Sequence, residues 1–121
     1  MGLKRVLVVD DDPDIREIII YILESEGYCV SGLDSGRDVL STVKNTLPDV
    51  VLLDVQLGDS DGRDLCRELK HQSDTKDIPI IMVSASHSWA ACSEKQCHPE
   101  DFLAKPFDVK ELIDHVRRFA A

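Results

Sequence analysis

Short apolar segments alternate with segments of helical spacing along the whole chain. Apolar residues at i, i+3 and i+4 predict a first helix over residues 15–23, which Gly27 would end. Runs rich in β-branched residues predict strands over residues 4–9, 28–31, 50–53, 78–83 and 101–104. Further helices are predicted from about residue 35 to before Pro48, from about residue 61, within residues 86–99, and from residue 108 to the end.

This alternation favours five β-α units. Continuous apolar strands separated by helices are typical of an α/β fold in which helices cover both faces of a parallel sheet. We expect residues 1–121 to form a single domain, because no linker, repeat or low-complexity segment interrupts the pattern.

The composition limits the classes of partner. A net charge of −9 disfavours binding to nucleic acid or to an anionic membrane surface. The longest apolar run, residues 18–23, is too short to span a bilayer, and no secretory signal pattern opens the sequence. The four cysteines form no CxxC pair. We therefore expect a cytoplasmic protein with reduced thiols.

Polar residues stand where the predicted strands end. The first strand is followed by Asp10 and Asp11, the third by Asp54, the fourth by Ser84 and the fifth by Lys105. Ligands of open parallel sheets bind beyond the carboxyl ends of the strands. The pattern therefore predicts that these side chains meet at one edge of the sheet.

Each of these residues also has a purely structural interpretation. Asp12 precedes Pro13 and is predicted to be the N-cap of the first helix. Asp54 alone could be a turn former, Lys105 a solvated surface lysine, and Ser84 a hydroxyl bonded to nearby backbone.

Convergence changes the interpretation of the acidic residues. Carboxylates that meet without a partner raise one another's pKa, and a hard divalent cation relieves the repulsion. Mg²⁺ binds one or two carboxylates together with water and phosphate oxygens. A metal, the ammonium of Lys105 and the hydroxyl of Ser84 are together suited to phosphoryl transfer.

Four segments, in order and over nearly the whole chain, resemble the receiver domain of bacterial response regulators: VLVVDDDP, VVLLDVQLGDSDG, IIMVSAS and DFLAKPF. The resemblance implies a flavodoxin-like (βα)5 fold with strand order 2-1-3-4-5. It also implies that Asp54 accepts a phosphoryl group from a histidine of a sensor kinase or of a histidine phosphotransfer protein. Asp11, Asp54 and the backbone carbonyl of Gln56 would hold Mg²⁺, and Asp10 would do so directly or through water.

The resemblance implies a switch as well. Lys105 would bind a phosphoryl oxygen, and a cis Lys105–Pro106 peptide bond would aim its ammonium at the site. Ser84 would bind another phosphoryl oxygen. Phe102 stands at the position of the family's switching aromatic residue. The fourth predicted helix, the fifth strand and the fifth predicted helix would form the output face, for a partner that the sequence does not name. Gly58 replaces the family's usual proline, which predicts a freer loop after Asp54.

Two other functions are weighed against this one. A phosphatase of the haloacid dehalogenase type uses a DxD motif, which residues 10–12 contain, but Asp14 stands where that family has threonine. A pseudo-receiver, which binds partners without accepting phosphate, usually lacks an acid or the lysine, and here all are present. A receiver domain would not be an enzyme with a separate substrate, since it would catalyse only its own phosphorylation and dephosphorylation.

Overall fold

The computed structural model describes residues 3–85 and 97–120. Its sheet has five strands, all paired in parallel, in the order β2-β1-β3-β4-β5. The strands are β1 (Arg5–Val9), β2 (Cys29–Leu33), β3 (Val50–Asp54), β4 (Ile80–Ala85) and β5 (Asp101–Lys105). The predicted fold class and strand order are confirmed.

Four helices lie within the described residues: α1 (Pro13–Ser25), α2 (Val39–Thr46), α3 (Gly62–Lys70) and α4 (Val109–Ala120). The helix predicted within residues 86–99 falls mostly on residues 86–96, which lie outside the described part of the chain. None of the helices in the described ranges has the length and the apolar character that crossing a bilayer would need.

Several predicted boundaries were wrong: β2 and β4 each end two residues later than predicted, at Leu33 and Ala85, and two starts also differ. Strand β4 begins at Ile80, two residues later than predicted, because the Ile78 N–H bonds the carbonyl of Thr75 and Pro79 has no N–H to donate. Helix α2 begins at Val39 and not near residue 35, since the preceding N–H of Gly36 bonds the carboxylate of Asp59 in another loop.

The core lies on both faces of the sheet. Alternate residues of each central strand point to opposite sides, so Leu7 belongs to the cluster with α2 and α3, and Val8 to the cluster with α1 and α4. Every residue of β3 is buried, which explains its unbroken apolar sequence up to Asp54. The buried sheet therefore fixes the position of its carboxyl edge, where the polar residues lie.

Candidate functional site

The fold brings the acidic residues together at the carboxyl edge of the sheet. Asp10 follows β1, Asp54 is the last residue of β3, and Asp11 lies in the loop before α1. One carboxylate oxygen from each of these residues lies within 4.8 Å of the others. Asp10 and Asp54 are buried, whereas Asp11 is exposed to solvent. The predicted convergence of the three carboxylates is present.

Lys105, at the end of β5, contacts two of these carboxylates. Its Nζ lies 3.1 Å from Oδ2 of Asp10 and 3.2 Å from Oδ2 of Asp54. The Lys105–Pro106 peptide bond is cis, as predicted. The ammonium of Lys105 thus pairs with two carboxylates, and a third, that of Asp11, lies close by. With three carboxylates and one contacting ammonium, this group of side chains carries excess negative charge.

The pKa values follow from this arrangement. Burial raises the pKa of Asp54, and the charge of Asp10 raises it further, while Lys105 and the N–H of Gln56 offset only part of the rise. Burial lowers the pKa of Lys105, but the carboxylates of Asp54 and Asp10 outweigh it and raise that pKa overall. The lysine therefore stays charged, and ionised Asp54 lacks the positive charge that would fully compensate it.

Hydrogen bonds show that Asp12 has a different role from its neighbours Asp10 and Asp11. Oδ1 of Asp12 accepts the N–H groups of Asp14, at 2.9 Å, and Ile15, at 3.3 Å, so Asp12 is the N-cap of α1. Asp12 in turn donates its own N–H to Oδ1 of Asp10, at 2.9 Å. The cap residue therefore also orients the neighbouring carboxylate of the site.

The loop between β3 and α3 is anchored at several points. Leu57 and Ser60 exchange backbone hydrogen bonds, and Oδ1 of Asp59 accepts the N–H of Gly36 at 2.9 Å. The N–H of Gln56, whose carbonyl is a predicted metal ligand, bonds Oδ1 of Asp54 at 3.3 Å. The greater freedom predicted from Gly58 stays a prediction, and these contacts argue against a large effect.

Gly62, to which the sequence reasoning gave no role, permits a close approach behind Asp54. A Cβ atom at position 62 would overlap the backbone carbonyl oxygen of Asp54. The N–H of Gly62 also donates to the carbonyl of Val55 at 2.7 Å. A glycine shortly after a strand-terminal aspartate is the sequence signal that could have indicated this packing.

Ser84 lies at the cleft of the acidic residues, whereas Phe102 packs against the core. Ser84 is buried and lines the same open cleft as Asp54 and Lys105, but its hydroxyl donates to the carbonyl of Ala85 at 2.8 Å. In this conformation the Ser84 hydroxyl is bonded to nearby backbone, which is the structural interpretation that the sequence left open for this residue. Phe102 is half-buried and packs against the core cluster that contains α2 and α3.

Comparisons with known proteins agree with this geometry. The family model described as the response regulator receiver domain matches residues 6–117. The DNA-binding response regulator MtrA of Mycolicibacterium smegmatis is 36% identical over 115 residues, covering 94% of this chain and 49% of MtrA. The response regulator MprA of Mycolicibacterium vanbaalenii is 37% identical over 117 residues, covering 93% of this chain and 48% of MprA. The chain thus spans about half the length of these curated relatives.

A solved structure has the same fold and holds a metal. The receiver domain of a sensor histidine kinase from Pseudomonas aeruginosa superposes with a TM-score of 0.89 at 29% identity, over 98% of both chains, and has a magnesium ion coordinated in its active-site cleft. With the sheet order, the acidic carboxyl edge and the family match in agreement, this chain belongs to the response regulator receiver domains of two-component signalling.

Proposed function

We propose that this chain is a Mg²⁺-dependent phospho-acceptor, in which Asp54 takes a phosphoryl group from a phosphohistidine. The observation that carries the proposal is the meeting of three carboxylates at one edge of the sheet with a single contacting ammonium. Such an arrangement lowers the stability of the fold unless a bound cation compensates the negative charge, so it indicates a functional site.

The donor set fits Mg²⁺. The clustered oxygens belong to carboxylates, which are hard ligands, and they lie close enough together for one ion to contact them. Asp11, Asp54 and the carbonyl of Gln56 would hold the metal, with Asp10 acting directly or through water. When bound, Mg²⁺ supplies positive charge to the phosphoryl oxygens during transfer.

The residues of the chain have separate roles in the transfer. A carboxylate oxygen of Asp54 forms a bond to phosphorus while the bond from phosphorus to the histidine nitrogen breaks, and the electron pair of that bond stays on the imidazole. Lys105 already contacts Oδ2 of Asp54, so its ammonium is close to the developing acyl phosphate. Ser84 would turn its hydroxyl away from the Ala85 carbonyl to reach a phosphoryl oxygen.

The proposed signalling role follows from that reaction. The donor would be a sensor histidine kinase or a histidine phosphotransfer protein, and residues 86–99, β5 and α4 would present the output face, which includes Phe102. We propose that residues 1–121 form one receiver domain that binds neither nucleic acid nor membrane itself, in line with its net charge of −9. It would turn over no separate substrate.

Transfer from a phosphorylated histidine phosphotransfer protein tests the proposal. We expect the label to move to the wild-type chain and not to Asp54→Asn. Asp114→Asn is the matched control, because Asp114 is an exposed carboxylate on α4 that pairs with Lys110, away from the cleft. A chain that takes no label from protein or small-molecule donors would instead be a pseudo-receiver, and label retained by Asp54→Asn would assign the acceptor elsewhere.

A further inference from the structure

Arg16 reaches from helix α1 to the main chain of the acidic site. Its Nη1 donates to the backbone carbonyl oxygen of Asp10 at 2.8 Å. The residue is half-buried, and neither the sequence motifs nor the proposed transfer gives it a role. A charged side chain held against a backbone carbonyl beside three carboxylates therefore needs an explanation.

The path of the Arg16 side chain depends on a glycine in β2. A Cβ atom at Gly32 would lie 3.2 Å from Cδ and 3.4 Å from Cγ of Arg16, and 2.9 Å from Cδ1 of Ile20. Contacts this short would force the arginine stem or the isoleucine to move. The missing side chain at position 32 thus gives Arg16 the room to cross β2 towards Asp10.

The bond from Arg16 fixes the peptide plane that joins two of the acidic residues. The carbonyl of Asp10 and the N–H of Asp11 belong to the same rigid plane. On the other side of Asp10, its N–H donates to the carbonyl of Leu33 at 3.1 Å. With both flanking peptides held, the directions in which Asp10 and Asp11 leave the backbone are restricted.

We propose that Arg16, with Gly32 making room for it, is a positioning residue that sets the orientation of the Asp10–Asp11 peptide for cation binding. The inference rests on the proposed Mg²⁺-dependent function. Arg16 suits this task because its planar guanidinium carries N–H donors in fixed directions, which restrains the carbonyl that accepts from it. Residues that orient metal ligands commonly change metal affinity by about 10- to 100-fold when they are removed.

Calorimetric titration with Mg²⁺ tests the proposal on the wild type and three variants of the chain. We expect Arg16→Met to weaken Mg²⁺ binding by about 10-fold or more. Gly32→Ala keeps the arginine charge but crowds Cδ of Arg16, at 3.2 Å, so a small shift of the guanidinium should weaken binding in the same direction by a smaller factor. Arg67→Met is the matched control on the exposed surface of α3 and should bind like the wild type.

Phosphorylation by a small phosphodonor provides the second readout. Arg16→Met should need more Mg²⁺ to reach half of its maximal rate, while the rate at saturating Mg²⁺ stays near that of the wild type. A lower maximal rate at unchanged Mg²⁺ affinity would overturn the positioning role. Normal affinity in Gly32→Ala beside a loss in Arg16→Met would overturn the role given to Gly32, because Arg16 would then keep its bond without the extra room.

The outcomes separate this inference from the function on which it rests. If the wild type binds Mg²⁺ and Arg16→Met binds it equally well, the role of Arg16 is wrong and the proposed function stands. If the wild type itself binds no Mg²⁺, the proposed function is wrong. Urea unfolding of each variant, measured alongside, identifies any loss of affinity that merely reflects a smaller folded fraction.

Discussion

At the amino edge of the sheet, the Nζ of Lys70 contacts Glu100 at 2.7 Å and the carbonyls of Ile78 and Lys76 at 2.8 and 3.1 Å. Glu100 also accepts the N–H of Ile80, the first residue of β4, at 2.8 Å. At the carboxyl edge, by contrast, the ammonium of Lys105 serves two carboxylates while Asp11 adds a third close by.

The contrast separates structural charges from functional ones. The half-buried lysine at the amino edge has a carboxylate and two carbonyls as partners, so it joins α3 to the residues that precede β4 and β5. The carboxyl edge keeps an excess of negative charge that lowers stability and prepares the site for a cation. Removing the lysine charge at the amino edge should therefore destabilise the protein, whereas removing a carboxylate at the carboxyl edge should stabilise it.

The largest stability effect is expected for Lys70→Met. The side chain is 11% exposed and its partner Glu100 is 34% exposed, so the change leaves a partly buried carboxylate without its cation. We expect a loss of about 2–3 kcal/mol in the free energy of unfolding, measured with urea. Lys76→Met removes an exposed lysine nearby and should change it by less than about 0.5 kcal/mol. Equal effects in both variants would contradict the structural role of Lys70.

A smaller loss is expected for Asp12→Ala. The change removes the N-cap of α1 and should cost about 1 kcal/mol of stability. Asp11→Ala should weaken Mg²⁺ binding more than Asp12→Ala does, because only Asp11 belongs to the carboxylate cluster. Equal losses of Mg²⁺ affinity in the two variants would contradict this division of roles between Asp11 and Asp12.

Asp54→Asn should change the free energy of unfolding in the opposite direction and stabilise the protein. Burial raises the pKa of Asp54 above its ordinary value of 3.8, so its protonated form favours the folded state. That contribution is complete below pH 3.8 and is lost as pH rises through the raised pKa. Without Mg²⁺, the asparagine variant should be more stable than the wild type at neutral pH, with the difference shrinking towards pH 4. A variant that is less stable at neutral pH would refute the excess-charge account of this edge.

The smallest effect is expected for Asp59→Ala, in the loop between β3 and α3. The change removes the acceptor of the Gly36 N–H, so hydrogen exchange at that amide should become faster. Gly58→Pro should partly slow it again, because proline restricts the same loop and, among the described residues, a Cβ at Gly58 would meet only Oδ2 of Asp11, at 3.6 Å. Unchanged exchange in Asp59→Ala would mean that the other contacts of the loop suffice.

The sequence predicted those features that depend on strand ends and caps. Asp54 and Lys105 follow apolar strands, and parallel strands bring their carboxyl ends to one edge. The contact of Arg16 with the Asp10 carbonyl could not be predicted, since it depends on how α1 crosses β2 over Gly32. The hydroxyl direction of Ser84 is likewise a rotamer that only the packed structure sets.

The most direct test of the central claim is the intact mass of the chain after incubation with a small phosphodonor, with and without Mg²⁺. We expect the mass gain of a single phosphoryl group, found on the peptide that contains Asp54, present only with Mg²⁺ and absent from Asp54→Asn. A gain that persists in Asp54→Asn, or that forms equally without Mg²⁺, would contradict the account of the acidic edge as a metal-dependent phospho-acceptor site.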